Sequence, residues 1–257
     1  VYITRTLATY SYELNNKKAP FDNVNIRKAL NLSLDRNVIT DKVLGQGQTP
    51  TYVFTPTYIE EGHLIQQPAY SKEPMAQRNE EAIKLLEEAG YSKANPLKFT
   101  ILYNTNENHK KVAIAAASMW KANTKGLIDV KLENQEWKTY IDSRRAGRYD
   151  AARAGWNADY NQATTFGNYF LSNSSNNTAK YANPEYDKAI AESYVATDAE
   201  GRAKAYAKAE EILAKDFGIV PIFNYVNPRL VKPYVKGYSG KDPQDHIYLR
   251  NLYIIKH

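Results

Sequence analysis

Apolar positions recur with two periods along this chain, and the switches between them mark its elements. Tyr2, Thr4 and Thr6 alternate at the start and predict a strand. Ile26, Ala29, Leu30, Ser33 and Leu34 then fall at i, i+3, i+4, i+7 and i+8, the stripe of an amphipathic helix. Asp22 or Asn23 suits its N-cap; Asp35 suits the cap of a second helix, with Gly45 as a left-handed stop. Residues 46–77 carry Pro50, Pro56, Pro68 and Pro74 and read as an irregular surface loop, in which Gly45-Gln46-Gly47 is a turn. Arg78–Tyr91 predicts a helix with an acidic start, stopped at Gly90.

The period of two returns at Leu97, Phe99, Ile101 and Tyr103. A helix over His109–Gly126, a strand through Ile128, Val130 and Leu132, a short helix from Trp137 and a strand over Tyr149–Trp156 follow. Asn183–Gly218 holds two Ala-rich helices, and Phe217–Val231 a last apolar strand passing into a Pro-containing crossover. After a turn-rich loop, the C-terminal LRNLYIIKH is again strand-like, so the two terminal strands are expected in one sheet with everything else inserted between them. The alternation of helices and strands places the chain in the α/β class, as a mixed sheet flanked by helices. Its beginning, with neither Met nor a signal peptide, reads as a position internal to a longer precursor or as a processed chain.

Composition narrows the function. The 257 residues are 43% apolar and 24% charged, as in ordinary soluble folds. Tyr stands out, with 21 against 7 Phe and 3 Trp; a rigid ring with a polar tip suits a wet binding wall. The net charge of +6 is scattered without a basic stripe, which argues against nucleic-acid binding. No apolar run of 18 residues occurs, and the lack of Cys excludes disulfides and thiolate chemistry.

Catalytic and metal signatures are missing. Glu87-Glu88 and Glu210-Glu211 are neighbours that point about 100° apart on helices and cannot face one substrate. His63, His109, His246 and His257 have no metal-ligand spacing. The chain also lacks a GxSxG elbow, a Walker loop and a Rossmann fingerprint. No cofactor or metal is expected, and no motif of a known catalytic class is found. A carbohydrate-active enzyme would need two facing carboxylates, and no such pair is found.

The chemistry concentrates in Tyr149–Ser172, which places Arg153, Trp156 and Asp159 within seven residues, with Gly155 beside the Trp. Small residues leave room for a ligand backbone, the Trp gives a flat wall, and the two charges suit the ends of a zwitterion such as a free peptide. A plain Arg153–Asp159 salt bridge and ordinary core roles for Trp137 and Trp156 remain open. His109 follows a strand and opens a helix, where open α/β sheets bind ligands; it also fits as a simple first-turn residue. Lys42 suits either a ligand or its helix dipole.

The passages FDNVNIRKALNLSLDRNVI, RNEEAIKLLEEAG, the run from LENQEW through NSSNNT, YDKAIAE and AKAEEILAKDFGIVPIFNYVNPRLVKPYV resemble the C-terminal half of family 5 periplasmic solute-binding proteins. These serve peptide-importing ABC transporters; ARAGWNADYN and NYVNPRLVKP match the oligopeptide branch, and the likeness runs over essentially the whole chain. The resemblance implies a type II periplasmic-binding-protein lobe in a two-lobed monomer that closes on short peptides with little sequence selectivity and passes them to membrane permease subunits. Residues 1–7 would end a first-lobe strand at the hinge, 8–226 form the second lobe, and 227–257 return to the first lobe, completed by the protein's N-terminal half.

The same resemblance implies site roles. Asp159 would hold the peptide ammonium, and Arg153, His109 and Lys42 its C-terminus at different lengths. Trp137, Arg144 and Trp156 would form pocket walls, with Tyr10, Tyr225, Gly155 and Asn157 as further lining. Enteric relatives carry a disulfide at positions matching Ala8 and Asn157, absent here, and a pocket His where this chain has Arg145, a change expected to favour acidic side chains. A narrower ligand, such as a murein peptide or haem, is the alternative within the same fold.

Overall fold

The computed structural model describes residues 1–256; His257 lies outside them. A six-stranded mixed sheet runs through its centre in the order β2-β6-β1-β5-β3-β4. The strands are β1 Tyr2–Leu14, β2 Thr49–Pro50, β3 Leu97–Asn104, β4 Ile128–Gln135, β5 Ala151–Asn157 and β6 Ile219–Arg229. β3 pairs in parallel with β4 and β5, whereas β1 pairs antiparallel with both β5 and β6.

Helices cover both faces. α1 (Val24–Leu32), α2 (Met75–Glu88) and α3 (Glu107–Asn123) enclose one core around Tyr12, Leu30, Phe99 and Trp120. Here the predicted stripe of Ile26, Ala29, Leu30, Ser33 and Leu34 is buried; the helical period turns Ile26, Ala29 and Leu30 inward, whereas Ser33 is the C-cap and Leu34 follows the helix. Asn23 is the N-cap, accepting from Asn25 N. Asp35 Oδ1 accepts from Asn37 N and Val38 N, and the segment they open, Val38–Leu44, is wound as a π-helix that Gly45 ends at φ 63°. On the opposite face, α5 (Thr164–Gly167), α6 (Pro184–Val195) and α7 (Ala199–Lys215) pack with Phe54, Phe166, Phe170 and Tyr186 into a second core. α4 (Trp137–Arg145) covers a third, smaller cluster of Leu102, Tyr140, Tyr149 and Ala152.

Two sequence expectations need correction. α2 begins at Met75, just after Pro74, so Glu80 and Glu81 lie beyond its first turn; a Pro fixes φ for a helix entry and overrides the acidic signal. The terminal strands do not share a sheet: β7 (Val235–Lys236) pairs with β8 (Tyr253–Ile254) in a separate ribbon, and β1 pairs instead with β6. The apolar alternation of the C-terminal segment gave a strand correctly but carried no information about its partner.

The crossovers place the site. β3 passes through α3 to β4 on one side of itself, and β4 passes through α4 to β5 on its other side. α3 and α4 contribute to different clusters, α3 to the Trp120 core and α4 to the Leu102 patch. The carboxyl ends of the three parallel strands therefore open where connections diverge, which is where open α/β sheets bind ligands.

Candidate functional site

Three loops leave those strand ends, and each carries residues singled out from sequence. After β3, Asn106 caps α3 through its side chain, accepting from Asn108 N and His109 N, and so fixes His109 in the first turn. After β4, Trp137 opens α4, the residue 57% exposed and its ring 5.8 Å from that of Tyr140. At the end of β5, Asn157 lies exposed, and Asp159 just after it is exposed at the rim.

Arg153 anchors the centre. Its Nη2 donates to Tyr225 Oη at 2.6 Å, its guanidinium lies 5.1 Å from the Tyr10 ring centroid, and its Nε is buried with no hydrogen-bond partner. Tyr140 Oη donates to the Arg153 carbonyl, tying α4 to β5. The Tyr10 ring is 5.5 Å from His109 and stacks 4.6 Å from Phe223. Gly155 makes room for this: a Cβ there would sit 2.8 Å from Arg153 Nη2 and 3.1 Å from Tyr225 Oη. Burial pushes His109 down to about 3, and the charge of Arg153 adds to the effect. Its imidazole is thus neutral in the ligand-free chain, with Nδ1 buried and unpartnered beside the cation.

A cavity of about 500 Å³ opens next to this cluster. It brings together Trp137, Arg144, Arg145, Gly155 and Trp156, with Tyr169 and Thr178 behind them. Trp156 is held edge-on to Tyr169 at 4.9 Å, and its Nε1 donates to Thr165 O at 2.9 Å. Sequence reading missed Glu13, which is fully buried and meets Arg144 at 3.0 Å. Tyr169 Oη donates to Glu13 Oε1 at 2.7 Å, and Thr178 also donates to Glu13. A lone acidic residue inside the apolar strand YSYEL was the available signal, since a buried charge requires a partner. The charge of Arg144 is therefore already met, whereas Arg145 is exposed at the cavity edge.

The Arg153–Asp159 salt bridge left open above does not form: among the described residues the Asp159 carboxylate has no ion pair, and Arg153 turns to Tyr225. Lys42 is exposed on the π-helical segment, which packs against α3. Ala8 and Asn157 are register partners across β1 and β5, with Ala8 buried. A larger cavity of about 940 Å³ lies away from the site, between α1, α7 and the loop at Leu64–Glu73. Among the described residues no cluster of three or more His, Asp or Glu could hold a metal, and no helix is long and apolar enough to cross a membrane.

Comparison with known proteins gives a consistent picture. The model of the bacterial extracellular solute-binding proteins, family 5 Middle, matches residues 1–178. The chain is 97% identical over 257 residues to the periplasmic oligopeptide-binding protein OppA of Haemophilus influenzae, covering 100% of this chain and 48% of that protein. It is 55% identical over 251 residues to OppA of Salmonella typhimurium, covering 98% of this chain and 46% of that one. The crystal structure of H. influenzae OppA in complex with the peptide RPPGFSPFR superposes with a TM-score of 0.93 at 96% identity, covering 99% of this chain and 50% of that chain. The chain thus spans about half the length of the curated relatives it matches.

Proposed function

This chain belongs to the bacterial extracellular solute-binding proteins of family 5, and we propose that it supplies the second lobe of a periplasmic receptor that captures short oligopeptides for the membrane permease of an ABC importer. Its relatives are named as binding proteins, and one is solved with a nine-residue peptide, RPPGFSPFR. The observation that carries the reading is a pair of charges that, among the described residues, no counter-ion meets: the exposed Asp159 carboxylate, and Arg153 six residues earlier with its buried, unpartnered Nε. A peptide has one charge of each complementary sign. Asp159 receives its ammonium; Arg153 receives its carboxylate, with His109 and Lys42 serving other lengths. The cavity between Trp137, Arg145 and Trp156 takes a side chain, and its open side admits water that adapts to different ones.

The lobe boundaries fit the same reading. β1 and β6 form one long ladder whose register shifts between Arg5 and Thr9, a break suited to a hinge near residues 7–8. Beyond it, Leu230, Tyr248, Leu249, Tyr253 and Ile254 are exposed, an apolar face suited to packing against a first lobe. Residues 8–226 then make the second lobe, and 1–7 with 227–257 belong to the hinge and first lobe.

Calorimetry on the intact natural protein tests the proposal. Asp159→Asn is expected to weaken a free tripeptide by about 2–5 kcal/mol, because lobe closure desolvates the ion pair. N-acetylation of the peptide is expected to cost a similar amount, and Arg153→Ala to act in a way that depends on peptide length. Unchanged affinity in both the Asp159→Asn and the acetylation arms removes Asp159 from this role.

A further inference from the structure

Asp159 is useful to a ligand only if its loop is already in place, yet it is exposed, and among the described residues its carboxylate has no ion pair to fix it. The loop's near end is tied by Ala158 N to Leu7 O at 2.8 Å and by Asp159 N to Thr165 Oγ1 at 3.2 Å; its far end is held by a turn at residues 60–61. Ala163 N donates to Glu60 O at 3.0 Å, and Glu60 N donates back to Asn161 Oδ1 at 3.2 Å. Gln162 Nε2 donates to Glu61 Oε2 at 2.9 Å. The other carboxylate oxygen, Glu61 Oε1, takes both Arg202 Nε at 2.8 Å and Arg202 Nη2 at 2.7 Å. Arg202 stands on α7, which is packed into the second core. Thr164 Oγ1, bonded to Gln162 Oε1 at 2.9 Å and to Tyr206 Oη at 2.6 Å, adds a second tie to the same helix.

Glu61 is an unusual choice at its position. Its φ is 64°, a left-handed conformation that Gly or Asn adopts more readily. Neither alternative has a carboxylate long enough to accept from Gln162 with one oxygen and from Arg202 with the other. Its side chain is only 6% exposed, so the turn holds a buried charge whose counter-ion is Arg202. A structural clasp alone would not need an ion here, since the backbone bonds of residues 60 and 163 already close the turn.

We propose that Arg202 and Glu61 are positioning residues for the ammonium site: α7 holds the turn at residues 60–61, the turn holds Gln162, and Asp159 is thereby presented to the peptide amine. This rests on Asp159 binding that amine, and it adds specificity determinants that act through the loop rather than by touching the ligand. A preorganised acid binds without having to order its loop first, and that advantage goes only to ligands carrying the amine.

The test uses the intact natural protein and the affinity ratio of a free tripeptide to its N-acetylated form. Arg202→Leu is expected to cut this ratio about tenfold while leaving the acetylated peptide unchanged, as expected for lost preorganisation. Arg202→Lys, which keeps the charge on Glu61, is expected to recover part of the ratio. Asp159→Asn is measured alongside. If Asp159→Asn collapses the ratio and Arg202→Leu leaves it intact, or weakens both peptides equally, the positioning role is wrong while the amine site stands. If Asp159→Asn leaves the ratio intact, the amine site itself is wrong and the positioning role falls with it.

Discussion

The ion pair of Glu13 and Arg144 gives the sharpest stability prediction. Glu13 enters from β1 and Arg144 from α4, with side chains 1% and 9% exposed. Burial alone would lower the Arg144 guanidinium, but the Glu13 carboxylate more than reverses this and holds it well above its ordinary value. Replacing Glu13 by Ala removes the only carboxylate paired with Arg144 among the described residues, and the acceptor for both Tyr169 and Thr178. Breaking such a buried pair costs about 3–5 kcal/mol. The guanidinium borders the 500 Å³ cavity, where water can reach it, so the lower part of that range applies, about 3 kcal/mol. In urea, with an m-value near 3 kcal/mol/M, the midpoint is expected to fall by about 1 M. The double variant Glu13→Ala with Arg144→Met leaves no isolated charge and is expected to recover much of the loss, a coupling that a double-mutant cycle reads directly. A midpoint shift below about 0.3 M for Glu13→Ala, at unchanged m, would refute the account. So would a double variant no more stable than the single one.

The same pair shows where sequence reading succeeded and where it stopped. Helix and strand periods were legible because burial repeats locally: the stripe from Ile26 to Leu30 and the run from Leu97 to Tyr103 each have their inward side chains fixed by backbone geometry. The strand end at His109 was legible too, since a polar residue after an apolar run stands where α/β sheets bind ligands. Partners across long sequence distances were not. Glu13 and Arg144 are 131 positions apart, and Glu61 and Arg202 are 141 positions apart. No local pattern couples them; the sheet order does. The pairing of β1 with β6 was missed for the same reason, because a strand's composition declares its faces and not its neighbour.

Two further outcomes follow from the site. Gly155→Ala places a Cβ 2.8 Å from Arg153 Nη2 and 3.1 Å from Tyr225 Oη, so the guanidinium must shift. Calorimetry is expected to show peptide affinity lowered by about 1–2 kcal/mol with little change in Tm, and unaltered affinity would count against Arg153 as a ligand group. His109 offers a pH test. Its ring sits at about 3 when folded, against an ordinary value of 6.5, so between these the unfolded chain binds the extra proton. The contribution of this site to stability is therefore complete above pH 6.5 and is lost as pH falls from 6.5 toward 3. In ligand-free protein the His109 ring resonances are expected to stay flat between about pH 5 and 8, and a midpoint above about 5 overturns the burial argument. A peptide carboxylate placed against the ring acts in the opposite sense from Arg153 and raises its affinity for a proton. Binding near pH 5 is then expected to take up protons, seen as a dependence of the calorimetric heat on the buffer's ionisation enthalpy. A heat independent of buffer at that pH would place the carboxylate away from His109.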